Sequence, residues 1–147
     1  MSDIYTGMRI SSSGMAAQRM RLNTITSNIA NIETTQTPEG GPYRRKDVVF
    51  GALPEARNFG EIFSSSDPRG EFQRVQVVDI QSDMKAPRMV YNPNHPDANP
   101  EGFVAMPNIN LMEEMTNMIQ ATRAYEANVS AMQAAKDMAL SSLEIGR

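Results

Sequence analysis

A mainly α protein with a small β-rich insert is what this sequence predicts, on two observations. Near each end lies a long stretch in which apolar or small residues recur in alternating steps of four and three. The middle holds short β-branched runs separated by Pro, Gly, Ser and Asn. The expected arrangement pairs the two terminal helices as an antiparallel coiled coil, with the β insert projecting from one end. Residues 1–35 are the N-terminal helix of that core, 36–107 the insert with its loops, and 108–147 the C-terminal helix.

The first helix carries Ile4, Met8, Ser11, Met15, Gln18, Leu22, Ile25, Ile29 and Ile32 on one seam. Its second half, from Met15, is the stronger. Gly7, Gly14 and the run Ser11–Ser13 lower helix propensity, Gly by about 1 kcal/mol against Ala, so residues 1–14 are expected to fray in a lone monomer. The segment 34–43, TTQTPEGGPY, reads as a loop. The run 43–50, YRRKDVVF, reads as a strand, and 51–60 as a loop around Pro54. Residues 61–63 suggest a short strand, and 64–70 a turn. EFQRVQVVDI (71–80) has the best β pattern in the chain, and Arg88–Tyr91 is a further short strand. NPNHPDANPEG (92–102) has three prolines and reads as extended coil. Residues 103–106 can pair briefly before Pro107.

The last helix spans 110–145. Leu111, Met115, Met118, Thr122, Tyr125, Val129, Met132, Ala139 and Leu143 form its seam, with Lys136 the one charge in the series. Asn110 stands three residues before Glu113 in a capping-box pattern, and Gly146 suits a left-handed helix end. Some 35 residues at 1.5 Å each make a rod of about 50 Å, which needs a partner along its length. Six of the twelve methionines lie between Met106 and Met138, where a pliable side chain serves either ordinary core filling or contact with non-identical neighbours. Two helices alone leave apolar flanks such as Ile119, Ala131, Ala135 and Met138 uncovered, which implies self-association or docking into a larger assembly.

Charge and composition exclude several function classes. The net charge is -3, and no segment is basic enough for a nucleic-acid footprint. No apolar run approaches the roughly 20 residues of a membrane span. With no cysteine, neither disulfides nor thiolate metal sites are expected. The opening MSDIYTGMRI lacks a basic n-region and apolar core, so no secretory signal peptide is expected. His95, the single histidine, lies between prolines in a polar loop and has no second His or Cys with which to bind metal. The stretch Asp97–Gly102 resembles the first half of a calcium loop, but its twelfth position would be Asn108 rather than a bidentate Glu, and Pro100 intrudes. The serine runs lack acid–base partners. No catalytic residue, cofactor, metal or small-molecule substrate is expected. Arg44-Arg45-Lys46 is a basic patch, either a solvated strand end or a docking point for an acidic neighbour.

Four blocks carry a resemblance. Ala30, Asn31 and Thr34 match the ANxxT signature of flagellar axial proteins. Thr37–Phe50 (TPEGGPYRRKDVVF), Val90–Asn99 followed by Glu101–Val104 and Met106–Asn110, and the last helix with Glu113-Glu114-Met115, Arg123–Asn128 and Leu143–Arg147 resemble the proximal-rod branch of the flagellar basal-body rod family. The resemblance implies a structural subunit of the bacterial flagellar rod, the axial drive shaft, and not an enzyme. It implies export through the type III apparatus without a cleaved signal, assembly in the periplasm, and other rod subunits and itself as partners. Another flagellar axial component, or a helical adaptor or chaperone of a secretion system, is the alternative. The expected assembly interface is Leu22, Ile25, Ile29, Ile32, Met115, Met118, Tyr125, Val129, Met132 and Leu143.

Overall fold

The computed structural model describes residues 2–54 and 73–145. Six elements follow in order: α1 (Ser2–Ala30), β1 (Lys46–Pro54), β2 (Gln73–Ser82), β3 (Arg88–Tyr91), β4 (Phe103–Met106) and α2 (Leu111–Ile145). The fold is therefore mainly α with a small β insert. The short strand and the turn expected at 61–63 and 64–70 lie outside the described residues.

The two helices lie side by side. Asn28 meets Glu114, and Gly14 meets Asn128, so late positions of α1 face early positions of α2. The same spacing separates the two contacts on each helix, which keeps register over about four turns. In α2 the least exposed residues run Glu114, Met118, Ala121, Tyr125, Asn128, Met132, Ala135 and Ala139. This is a four-three line, but it is displaced from the expected one. Met118, Tyr125, Val129 and Met132 are half-buried as that seam requires, whereas Leu111, Met115, Thr122 and Leu143 are exposed. The reason is local packing. A Cβ on Gly14 would stand 2.8 Å from the Asn128 Oδ1, so glycine there lets the backbone come close to a polar side chain. Buried Ala17, Ala121 and Ala135 likewise favour close approach over bulk.

α1 is helical from Ser2 through Gly7, Gly14 and the serine run, where fraying is expected from propensity alone. The Ser13 hydroxyl donates back to the Ile10 carbonyl (2.7 Å) and Thr24 to Met20 (3.1 Å), so these polar side chains are satisfied by their own helix. Asn110 caps α2 by accepting from the Met112 N–H at 3.1 Å.

β1 and β2 pair antiparallel from Lys46↔Ser82 to Pro54↔Gln73. β1 thus continues through Gly51–Pro54, where a loop is expected; pairing with β2 overrides the weak local pattern. A bulge lies where Val49↔Asp79 gives way to Phe50↔Val77, leaving Val78 unmatched. A Cβ at position 51 would meet a methyl of exposed Val78, which would have to turn away. This hairpin does not simply project from one end of the helix pair. Lys46 lies against Asn28 and Val75 against Ser13, whose hydroxyl accepts from the Val75 N–H (3.3 Å), so the sheet runs back along α1. A groove of about 350 Å³ between them is lined mainly by Ala16, Ala17, Met20, Val75 and Val77.

β3 and β4 form a second antiparallel pair, Arg88↔Met106 to Tyr91↔Phe103. The connection expected as extended coil is a series of tight turns, with Asn92 N–H bonded to Gly102 O and Asn99 N–H to Phe103 O. Gly102 has φ of 81° and lies under the Tyr91 ring, a conformation and a space that suit glycine. Fully buried Val104 and Pro107, with Ile109, anchor this hairpin ahead of α2.

Candidate assembly interface

The junction between helices and insert is built on polar side chains. Glu114, in the first turn of α2, has no exposed surface. Its Oε1 accepts from Arg45 Nε at 2.7 Å and its Oε2 from Asn28 Nδ2 at 3.2 Å. A carboxylate can be buried when it is met by a cation and a second donor; alone it could not. Burial works against the Arg45 charge, but Glu114 and then Asp47 outweigh it and hold the guanidinium above its ordinary pKa. Asn28 also brackets the start of β1: its Oδ1 accepts from the Lys46 N–H (2.9 Å) and its Nδ2 donates to the Lys46 carbonyl (2.8 Å). The Tyr43 hydroxyl donates to the same Oδ1 at 3.2 Å. Helix α1, helix α2 and strand β1 are thereby fixed to one another through one asparagine.

The ANxxT residues make the turn that follows. Asn31 Nδ2 donates to the Ser27 carbonyl (2.8 Å), which also accepts the Asn31 backbone N–H (3.1 Å), so Asn31 grips the last turn of α1 twice. Thr34 Oγ1 donates to Asn31 Oδ1 (3.1 Å), and the Tyr43 N–H donates to the Thr34 carbonyl (3.1 Å). Ala30 is the last helical residue. The signature acts here as a helix stop that returns the chain toward β1. Beyond it, Thr35 Oγ1 donates to Asp97 Oδ2 (2.7 Å), tying this turn to the β3–β4 connection.

The expected interface residues fall into two sets. Ile25 is buried, and Leu22, Ile29, Ile32, Met118, Tyr125, Val129 and Met132 are half-buried. Met115 and Leu143 are 47% and 61% exposed. Also exposed on α2 are Met112, Ile119, Met138 and Leu140. The helix pair therefore closes on small, polar and some apolar residues and leaves a further set of large apolar side chains outside. Sequence reasoning missed Asn28, Arg45 and Glu114 as partners. No local signal was available, because Asn28 and Glu114 stand beside the expected apolar seams rather than on them.

Among the described residues, no group of three or more His, Cys, Asp or Glu could hold a metal ion. No helix among them is long and apolar enough to cross a membrane.

Two family profiles match the chain. One, described as "Flagella basal body rod protein", covers residues 8–36; the other, "Flagellar basal body rod FlgEFG protein C-terminal", covers residues 101–145. The two profiles fall on α1 with its turn and on β4 with α2. The chain is 39% identical to the flagellar basal-body rod protein FlgC of Borreliella burgdorferi over 97% of each chain. It is 39% identical to that of Bacillus subtilis, over 97% of this chain and 98% of the other. With that of Salmonella typhimurium the identity is 35% over 94% of each.

Proposed function

Because the chain belongs to the flagellar basal-body rod protein family, we propose that it builds the proximal part of the rod by packing its terminal helices against those of neighbouring subunits. It is a structural subunit of the flagellar basal body and not an enzyme. The helices pair as an antiparallel coiled coil. Residues 1–35 and 108–147 form the assembly core around an insert of 36–107. The chain leaves the cytoplasm through the type III export apparatus without a cleaved signal, and it assembles in the periplasm. The export route and the periplasmic location rest on the resemblance in the rod-family blocks.

One observation carries the packing. Met115, Ile119, Met138 and Leu143 remain outside after the intramolecular seam has closed. Exposed apolar area of this kind on a long helix is stabilised by burial in an assembly, at about 25 cal/mol per Å². Buried Ile25 and the half-buried seam residues Leu22, Ile29, Ile32, Met118, Tyr125, Val129 and Met132 hold that surface in shape, while Met115 and Leu143 touch neighbours directly.

The test is Met115→Asp. The account expects a folded chain that is absent from purified basal bodies and cells that do not swim. Normal incorporation of this variant would overturn the packing model.

A further inference from the structure

The β1–β2 hairpin has two outer edges, and the pairing shows which backbone groups face them. The Asp83 N–H donates to the Arg45 carbonyl at 2.7 Å, so these two residues form a hydrogen-bonded pair. In an antiparallel ladder such pairs alternate with pairs whose backbone groups point away from the partner strand. The register continues Lys46↔Ser82, Asp47↔Gln81, Val48↔Ile80, so Lys46, Val48, Ile80 and Ser82 point outward. Asn28 meets both outward groups of Lys46, as this alternation requires.

The two edges meet different surroundings. On the β1 side α1 covers the edge: Lys46 lies on Asn28, and buried Val48 shares a cavity wall with Thr24 and Ile25. On the β2 side every residue from Val78 to Ser82 is exposed, Val78 by 66% and Ile80 by 42%. An exposed strand edge is a template for another strand. The local sequence favours that pairing. Val75–Ser82 (VQVVDIQS) is rich in β-branched residues, has no proline and holds one charge, that of Asp79. Asp79 sits where strand addition would begin. Its Oδ1 accepts the outward Ile80 N–H at 2.8 Å, the donor that a further ladder would need.

We propose that Asp79 closes the free edge of β2 against a second copy of this chain, so that two hairpins do not pair edge to edge. The excluded contact is β2 with β2. Antiparallel pairing of two like edges is twofold, and it would engage both Ile80 N–H groups at once. It would also bring two Asp79 carboxylates close together, which is unfavourable. The closure belongs to the free chain and involves no helix contact, so it goes beyond the packing in the rod and does not depend on it.

Sedimentation velocity of the purified full chain tests this, at concentrations where the wild type is a monomer. Asp79→Ala removes acceptor and charge together and should lower the apparent dissociation constant for dimer formation by roughly tenfold or more. Asp79→Asn keeps an acceptor for the Ile80 N–H and should stay close to the wild type. Asp79→Ala/Ile80→Pro has no N–H at position 80 to offer and should return to monomer, since an outward edge position tolerates proline. Far-UV circular dichroism checks that each variant is folded. As a second measurement without the proline variant, the Ile80 amide of Asp79→Ala should exchange several-fold more slowly in a concentrated sample than in a dilute one. Asp79→Ala that is folded and as monomeric as the wild type overturns the proposal. Equal association of Asp79→Ala and Asp79→Asn overturns it as well, because charge alone would then be the cause. Dimers of Asp79→Ala whose Ile80 amide exchange ignores concentration place the contact elsewhere and also overturn it.

Discussion

At the junction, α1 and α2 meet through a buried carboxylate, a guanidinium and an asparagine; toward the far end of α2, Met138, Leu140 and Leu143 stand in solvent. The two regions use opposite chemistry along one helix pair. A polar network tolerates only one arrangement, because each donor and acceptor must find its partner, and so it fixes register within the chain. An apolar surface is indifferent to the identity of what covers it, and methionine adapts to several shapes. Folding information and assembly information are thus held in different parts of the molecule. The junction specifies one chain, and the outer face of α2 is left for others.

The largest effect on stability is expected where the junction is broken. Glu114→Ala leaves Arg45 and the Asn28 amide without their acceptor. It should cost about 3 kcal/mol in denaturant unfolding of the purified chain, the lower end for a buried pair because Arg45 is partly exposed. A loss below about 1 kcal/mol would mean that the network is not what aligns the helices. Next comes Gly14→Leu, which drives a side chain into Asn128 and should cost about 2 kcal/mol by overpacking. An unchanged melting curve would show that the helices do not approach as closely as described. Asn31→Ala removes the bonds to Ser27 and from Thr34 and should cost about 1 kcal/mol. Thr34→Val should show part of the same loss and add little in the double variant; full additivity would separate the two residues. Smallest of all, Met115→Asp should change monomer stability by no more than about 0.5 kcal/mol, since the site is exposed. Its effect belongs to assembly, and a large loss of monomer stability would break the division between the two regions.

Much of this was legible in the residues. The four-three spacing located both helices, β-branched content located β2, and Arg88–Tyr91 and Phe103–Met106 were found at the observed bounds. The expected seam of α2 shares Met118, Tyr125, Met132 and Ala139 with the observed line and misses Glu114, Ala121, Asn128 and Ala135, because counting apolar residues alone passes over small and polar ones. Polar residues belong on an interior line only when distant partners exist, and Arg45 and Asn28 lie 69 and 86 residues from Glu114 in sequence. Local periodicity carries no information about pairs so far apart. The same holds for β1 beyond Phe50: Gly51 and Pro54 argue against a strand, and only β2 alongside makes one. The folding of the hairpin along α1 is a packing outcome of the same kind. The rod-family blocks, by contrast, were readable because they are contiguous. What ANxxT does became visible only with the Asn31 bonds to Ser27 and Thr34.

The central claim is that the apolar face of α2 left exposed in one chain is covered in the rod. Methionine oxidation read by mass spectrometry tests it directly, because Met112, Met115 and Met138 are exposed along α2. All three should oxidise readily in the free chain and be protected in purified basal bodies. Equal oxidation of the three in both states would contradict the account.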